Sequence, residues 1–263
     1  DEEILGVLSG QWGDYGLPPG QSSFAMHSMV VRHYLNGGNY PIGTSRKIAE
    51  TTVDYLEDMG GKLYVNAPVD EILTHGGKTI GVILEGGDEI FAPLVISSAG
   101  VINTYGKFLR NAPNMKSYSQ QLKTITPTPS YVCLYMGLNK SAEELKLDNT
   151  NLWIYPSYDH DKNVSTFLND IEKDFPVVYV SFPSAKDPAF SEKHPGSSTM
   201  EAITVSPWEY YDTWSNKPWK NRGDDYEMLK STISDRILEK VYEHVPQARD
   251  AMDYHELSTP LSV

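Results

Sequence analysis

The chain has 263 residues, 40% of them hydrophobic and 22% charged, which is the composition of a folded domain or two rather than of a disordered tail. Its formal net charge of −13 argues against phosphate backbones, hence against nucleic acid as a partner, and against attraction of the whole molecule to an anionic membrane surface, although a local basic patch would escape that argument. A single cysteine, Cys133, excludes an intrachain disulfide and a multi-thiolate metal site and favours a reducing compartment, and no apolar run approaches the ~20 residues of a membrane span.

In chain order, residues 22–35 place Phe24, Met26, Met29, Val30, Val31 and Tyr34 at helical spacing, and Gly37-Gly38-Asn39 breaks that helix. Thr44 or Ser45 is positioned to cap a second helix through Ile48, Ala49, Val53, Leu56 and Met59, and Gly60 stops it. Strands are predicted at 62–66 and 69–74. Gly76-Gly77 then turns into a strand over 79–85, and Gly86-Gly87 into one over 89–92. Residues 94–97 read as a short buried strand that ends in the small residues Ser98, Ala99 and Gly100. Beyond Val101 proline becomes frequent, Pro127 included, and strands are predicted at 130–138, 152–155, 177–182 and 200–205. A helix is predicted over 225–245, with Pro246 ending it. The fold class is mixed, α+β or α/β, with a small sheet-and-helix unit near 38–104 and a larger, mainly antiparallel unit after it.

Two places carry features a nucleotide cofactor uses. Small residues at a strand end, here Ser98-Ala99-Gly100, permit close approach. A helix start, here Gly43-Thr44, offers free N–H groups to phosphate or carbonyl oxygens. Each is also, taken alone, an ordinary turn or an ordinary capped helix. His27 and His33 lack the i, i+4 spacing of a helical metal pair, and no metal site is expected. Asp159-His160-Asp161 reads as a solvated polar loop. Asn163-Val164-Ser165 is a glycosylation-type triplet of a kind that occurs by chance. Ser184 and Lys186, beside Pro183, read as a loop rather than a reactive Ser–Lys pair. Trp208, Tyr210, Tyr211, Trp214 and Trp219 either pack under the long helix or wall an apolar substrate tunnel. No catalytic residue is assigned.

Several stretches taken together are specific. Phe24-Ala25-Met26-His27, His33-Tyr34, Gly37-Gly38-Asn39-Tyr40-Pro41 and Gly43-Thr44-Ser45 lie near one end. Further on are Gly100-Val101-Ile102-Asn103-Thr104-Tyr105, Phe182-Pro183-Ser184-Ala185-Lys186-Asp187-Pro188, Lys217-Pro218-Trp219 and Ser258-Thr259-Pro260-Leu261. Along nearly its whole length the chain resembles FAD-dependent oxidoreductases of the phytoene desaturase, retinol saturase and carotenoid isomerase family. Thr44 stands where the second glycine of that family's aromatic-Pro-x-Gly-Gly-Ser pattern is expected.

The resemblance implies substrate-domain helices over 1–37, the middle part of a Rossmann-like FAD-binding domain over 38–104, and an antiparallel substrate-binding domain over 105–263. It implies FAD as cofactor, with Val69, Ser98, Ala99, Gly100, Gly43 and Thr44 against it, and Tyr40 and Pro41 beside an apolar polyene isoprenoid. The implied reaction saturates, desaturates or isomerises a carbon–carbon double bond of a retinoid or carotenoid. The family's Gly-x-Gly-x-x-Gly turn, which cradles the pyrophosphate, is not in the chain. Gly16-Leu17-Pro18-Pro19-Gly20 is no substitute, because proline has no amide to donate. The start at Asp1 and the end just after Ser258-Thr259-Pro260 also look cut. The expectation is an internal fragment, inactive and free of FAD by itself, from an enzyme that is cytoplasmic or in peripheral contact with a membrane. The alternative is a non-catalytic module that binds an apolar isoprenoid.

Overall fold

In the computed structural model, residues 1–113, 115–125 and 129–262 are described; Pro127 and Val263 lie outside them. The chain forms two compact units, Asp1–Glu50 with Thr128–Val263, and Thr51–Pro127. The first 50 residues contain α1 (Glu2–Ser9), α2 (Phe24–Tyr34) and the start of α3 (Arg46–Asp58). Asp1 caps α1 by accepting from Glu3 N–H. Helix α3 ends as the sequence predicts. Gly60 has φ +81, its N–H donates to Glu57 O, and Gly61 N–H donates to Leu56 O, a Schellman closure that only a residue tolerant of the left-handed conformation permits without cost.

The second unit holds an antiparallel meander of β1 (Val69–His75), β2 (Lys78–Leu84) and β3 (Glu89–Phe91). The pairs Thr74↔Thr79 and His75↔Lys78 leave Gly76-Gly77 as a two-residue hairpin turn. A π-helical turn over Asn103–Phe108 and α4 (Met115–Leu122) follow. Arg110 ties the end of that turn to β1, through Asp70 at 2.6 Å and Glu71 at 3.4 Å. Two strand expectations fail in this unit. Neither 62–66 nor 94–97 is a strand, and both are solvated, with Val65 73% and Ile96 89% exposed. An extended segment becomes a strand only when a neighbour takes its N–H and C=O groups, and among the described residues none does so. The expectation that 94–97 is buried fails for the same reason.

The large unit is built on β4 (Tyr131–Leu138), β5 (Leu152–Ile154), β6 (Val178–Ser181), β7 (Ser198–Val205) and β8 (Met252–Ser258). Their order is β5-β6-β7-β4-β8 and every pairing is antiparallel. Strict alternation buries Val132, Leu134, Met136 and Leu138 of β4, and Met200 and Ala202 of β7, on one sheet face. The long helix, in the same core, supplies Ile233, Ile237 and Val241 at i, i+4 spacing from Asp224–His244, with Asp224, Asp225 and Glu227 at its positive end.

Helices α5 (His160–Asn169), α6 (Pro183–Lys186), α7 (Phe190–Lys193) and α8 (Asp224–His244) connect or cover the strands. Of the aromatic stretch, Tyr211 is fully buried and Trp214 meets Tyr226 of α8 at 5.6 Å between ring centroids, which is the packing role; Trp208 and Trp219 are exposed.

Two polar readings, those of His160 and of Ser184 with Lys186, are corrected here. His160 is not in a solvated loop: Asp159 caps α5 by accepting from Lys162 N–H, and His160 is buried with Nε2 at 2.8 Å from Gly6 O. Asn163 is buried too, and its amide donates to Ser157 O and accepts from Ser157 Oγ, so its nitrogen is already engaged. Ser184 and Lys186 sit on the helical turn α6 rather than in a loop, because Pro183 at its first position is pre-set in φ for a helix start.

Candidate ligand-binding site

The face of the five-stranded sheet opposite the core carries a polar cavity of about 760 Å³. Strand register builds its floor. Trp153 lies opposite Tyr179, and Ser181 opposite Glu201, so all four side chains leave the same face. Trp153 and Tyr179 meet edge to face at 4.8 Å. Asp14, Tyr34, Asn39, Tyr40 and Lys186 complete the wall.

Lys186, the last residue of α6, reaches into this cavity. Its Nζ donates to Ser181 Oγ at 2.7 Å and to Asn151 Oδ1, and lies 5.9 Å from the Tyr40 ring centre. Burial holds the ammonium below the usual lysine range, with the Glu201 charge pulling the other way. Burial, followed by the negative charges of Glu201 and Asp187, pushes the Tyr40 phenol up. Partial burial raises the Asp14 carboxyl, against the hydrogen bond from Tyr34 and the nearby His33. An ammonium, a carboxyl and phenols at altered affinity for protons, with amides beside them, are what a site for a polar group looks like.

Asp187 follows Lys186 and turns the opposite way. It is 4% exposed, and its carboxylate accepts from Gly43 N–H at 3.0 and 3.1 Å and from Ala189 N–H at 3.0 Å. This corrects the reading of Gly43-Thr44 as a helix start with free N–H groups. Gly43 N–H belongs to Asp187, Thr44 N–H donates to Pro41 O, and Arg46 N–H reaches Thr44 Oγ1 at 3.4 Å. The turn has φ +89 at Gly43 and φ +71 at Thr44, the second a left-handed position held by a β-branched residue.

A second, apolar groove of about 560 Å³ lies between α1 and α2, lined by Leu5, Leu8, Phe24, Val31 and Leu35. The hydroxyls of Ser9, Ser22 and Ser28 along it donate to backbone carbonyls of Leu5, Leu17 and Phe24, so the groove presents hydrocarbon. Groove and cavity adjoin along the chain: Tyr34 lines the cavity and Leu35 the groove, Asp14 the cavity and Tyr15 the groove. His27 is held by Tyr15 OH at 3.1 Å.

The structure therefore brings Tyr40, Pro41, Gly43 and Thr44 together in the first unit, with Tyr40 in the cavity wall. Val69, Ser98, Ala99 and Gly100 belong to the second unit. There Val69 opens β1, and the 98–100 segment starts the following helical turn, Thr104 N–H and Oγ1 both donating to Gly100 O. Gly100 has φ +82 and is exposed, with open solvent where its Cβ would be. At the two glycine turns near the start of the chain the amides are already engaged: Gly43 N–H donates to the Asp187 carboxylate, and Gly20 N–H to that of Asp161. Lys186, Asn151, Glu201 and Asp187 were not singled out as site residues from the sequence. Pro183 as a helix-start signal would have found the turn that carries Lys186.

No family model matches the chain. It is 36% identical to an all-trans-retinol 13,14-reductase of Danio rerio, over 100% of this chain and 45% of that protein. It is 30% identical, over the same shares, to a Danio rerio protein named inactive all-trans-retinol 13,14-reductase. A chloroplastic prolycopene isomerase of Arabidopsis thaliana is 29% identical over 89% of this chain and 36% of that protein. The chain thus spans less than half the length of these relatives. Among solved structures, an oxidoreductase from Methanosarcina mazei superposes with a TM-score of 0.57 at 18% identity, covering 84% of this chain and 43% of that one. A Pyrococcus furiosus protein gives 0.63 at 14% identity, covering 98% and 54%. These two carry the α+β fold. The sequence match over the whole chain relates it to the all-trans-retinol 13,14-reductases, and a match over 89% of it relates it to a prolycopene isomerase.

Proposed function

We propose that this chain provides the substrate-facing part of a flavin-dependent oxidoreductase that acts on a carbon–carbon double bond of a retinoid or carotenoid. The observation that supports the reading is the match of the whole chain to retinol reductases and of 89% of it to a prolycopene isomerase, joined to a ligand-sized cavity on the free face of the antiparallel sheet. FAD, when bound, would supply hydride exchange with the double bond. The residues of this chain bind the isoprenoid, orient it and keep water from it. Tyr40 and Pro41 stand beside the substrate, fixed by the Asp187 clamp on Gly43. Val69, Ser98, Ala99 and Gly100 lie against the adenosine side of the cofactor, and its pyrophosphate needs donors from outside this sequence.

The apolar groove supports an isoprenoid as ligand. The existence of a relative named inactive keeps a second reading in play, a module that binds the isoprenoid without converting it. Product analysis with the cofactor-loaded full-length protein separates the two readings: conversion of a retinoid supports the enzyme, and binding without conversion supports the module.

A further inference from the structure

The polar cavity does not suit a hydrocarbon. It holds an ammonium, two carboxylates, several amides and three phenols on its wall, and stripping water from such groups without replacing their hydrogen bonds is costly. The ammonium is the informative member. It has three N–H donors, of which Asn151 Oδ1 and Ser181 Oγ take two. Among the described residues no carboxylate forms an ion pair with it; Glu201 acts on it only as a more distant charge. One donor is therefore left for whatever enters.

We infer that this cavity receives the terminal oxygen of an isoprenoid alcohol, with Lys186 Nζ donating to that oxygen, and thereby selects an oxygenated isoprenoid over a hydrocarbon carotene. A hydroxyl is both acceptor and donor, so it takes the free Lys186 N–H and offers its own hydrogen to Glu201 or Asp14 on the same wall. A carboxylate would gain from Lys186 and lose to those two acids. The apolar remainder of the molecule is matched by the groove, which the residues next in sequence line: Leu35 after Tyr34 of the cavity, and Tyr15 after Asp14. Burial that lowers the proton affinity of Lys186 makes its N–H a better donor to a neutral oxygen. A site built to hydrogen-bond a hydroxyl discriminates strongly against the analogue that lacks it, because its own polar groups are left unpaired. The inference rests on the isoprenoid reading above and makes Lys186 a specificity determinant within it.

The test is a fluorescence titration of the full-length protein with all-trans-retinol, with the corresponding hydrocarbon lacking the hydroxyl, and with all-trans-retinoate. In the parent protein retinol should bind more tightly than the other two. Lys186→Met should weaken retinol by roughly tenfold to a hundredfold, the span of one hydrogen bond to a charged group. It should leave the hydrocarbon within about twofold. Lys186→Arg, which keeps the charge, should recover part of the loss. Glu201→Met together with Asp14→Leu keeps Lys186 and removes both acceptors offered to the hydroxyl hydrogen, so it should weaken retinol but not the hydrocarbon, which covers the case in which Lys186→Met fails to fold. Equal losses for retinol and hydrocarbon, or no loss for retinol, would overturn the inference while leaving the isoprenoid reading standing. A parent protein that binds no isoprenoid at all would overturn both.

Discussion

Asp187→Ala is the substitution whose consequence follows most directly from the geometry. Its carboxylate is buried and holds two amides: Gly43 N–H shared between both oxygens at 3.0 and 3.1 Å, and Ala189 N–H at 3.0 Å. A net hydrogen bond to a charged group is worth about 1.5–3 kcal/mol. Losing two, with part recovered because Gly43 is only half-buried and water can reach its amide, gives about 3 kcal/mol. At roughly 2–4 °C per kcal/mol for a unit of this size, the melting temperature falls by about 6–12 °C.

Asp187→Asn keeps one acceptor oxygen and should lose about half as much. The assay is thermal and urea unfolding of both variants against the parent. Only the transition of the unit formed by Asp1–Glu50 and Thr128–Val263 should move. Because the clamp fixes the turn after Tyr40, limited proteolysis should also begin to cut near 38–44. A change under about 0.5 kcal/mol for Asp187→Ala, or an Asn variant as damaged as the Ala variant, would refute the clamp.

Two further outcomes follow from single residues. Thr44 carries φ +71, which costs an L-residue roughly 1–2 kcal/mol, and among the described residues its side chain returns a long 3.4 Å bond from Arg46 N–H. Thr44→Gly should therefore stabilise by about 1 kcal/mol in urea unfolding; a destabilised variant would show that the strain is not there. Tyr211 is buried against Ser206 Oγ at 2.6 Å, and its phenol is pushed up to about 12 by burial. Its folded affinity for the proton exceeds the unfolded one, near 10, so its contribution is complete below about pH 10 and is lost as the pH rises towards 12. Tyr211→Phe should flatten the fall of stability over that window, and identical slopes in parent and variant would count against the assignment.

Much of the large unit was legible because one face is buried. Alternating apolar residues in 130–138 and 200–205, and the i, i+4 stripe of 225–245, announce a sheet with a helix in its core, and Gly60 announces a helix end. Strand β8 was not legible: Met252–Ser258 is mostly exposed, so Asp253, His255 and Glu256 carry no alternation to read. Helix α5 opens on polar residues, and only the capping role of Asp159 would have flagged it. The segments 62–66 and 94–97 show the converse. Their composition suits a strand, but pairing is a property of neighbours, and among the described residues no strand pairs with them. The site was half legible. Tyr40 was reached through its motif, whereas the bond from Gly43 to Asp187 spans a separation of 144 residues and leaves no local trace. The position of Lys186 beside a proline says nothing of the sheet face it overhangs, so its role is not legible from the sequence.

The central claim is that this chain belongs to a working enzyme on isoprenoid double bonds. The direct measurement is anaerobic incubation of the FAD-loaded full-length protein, with a chemical reductant, first with all-trans-retinol and then with a poly-cis carotene. Products are separated and weighed by mass spectrometry. The account predicts a retinoid heavier by one pair of hydrogens, formed in proportion to enzyme and abolished by heat. Recovery of both compounds unchanged, from protein shown to be folded and to hold its flavin, would contradict it.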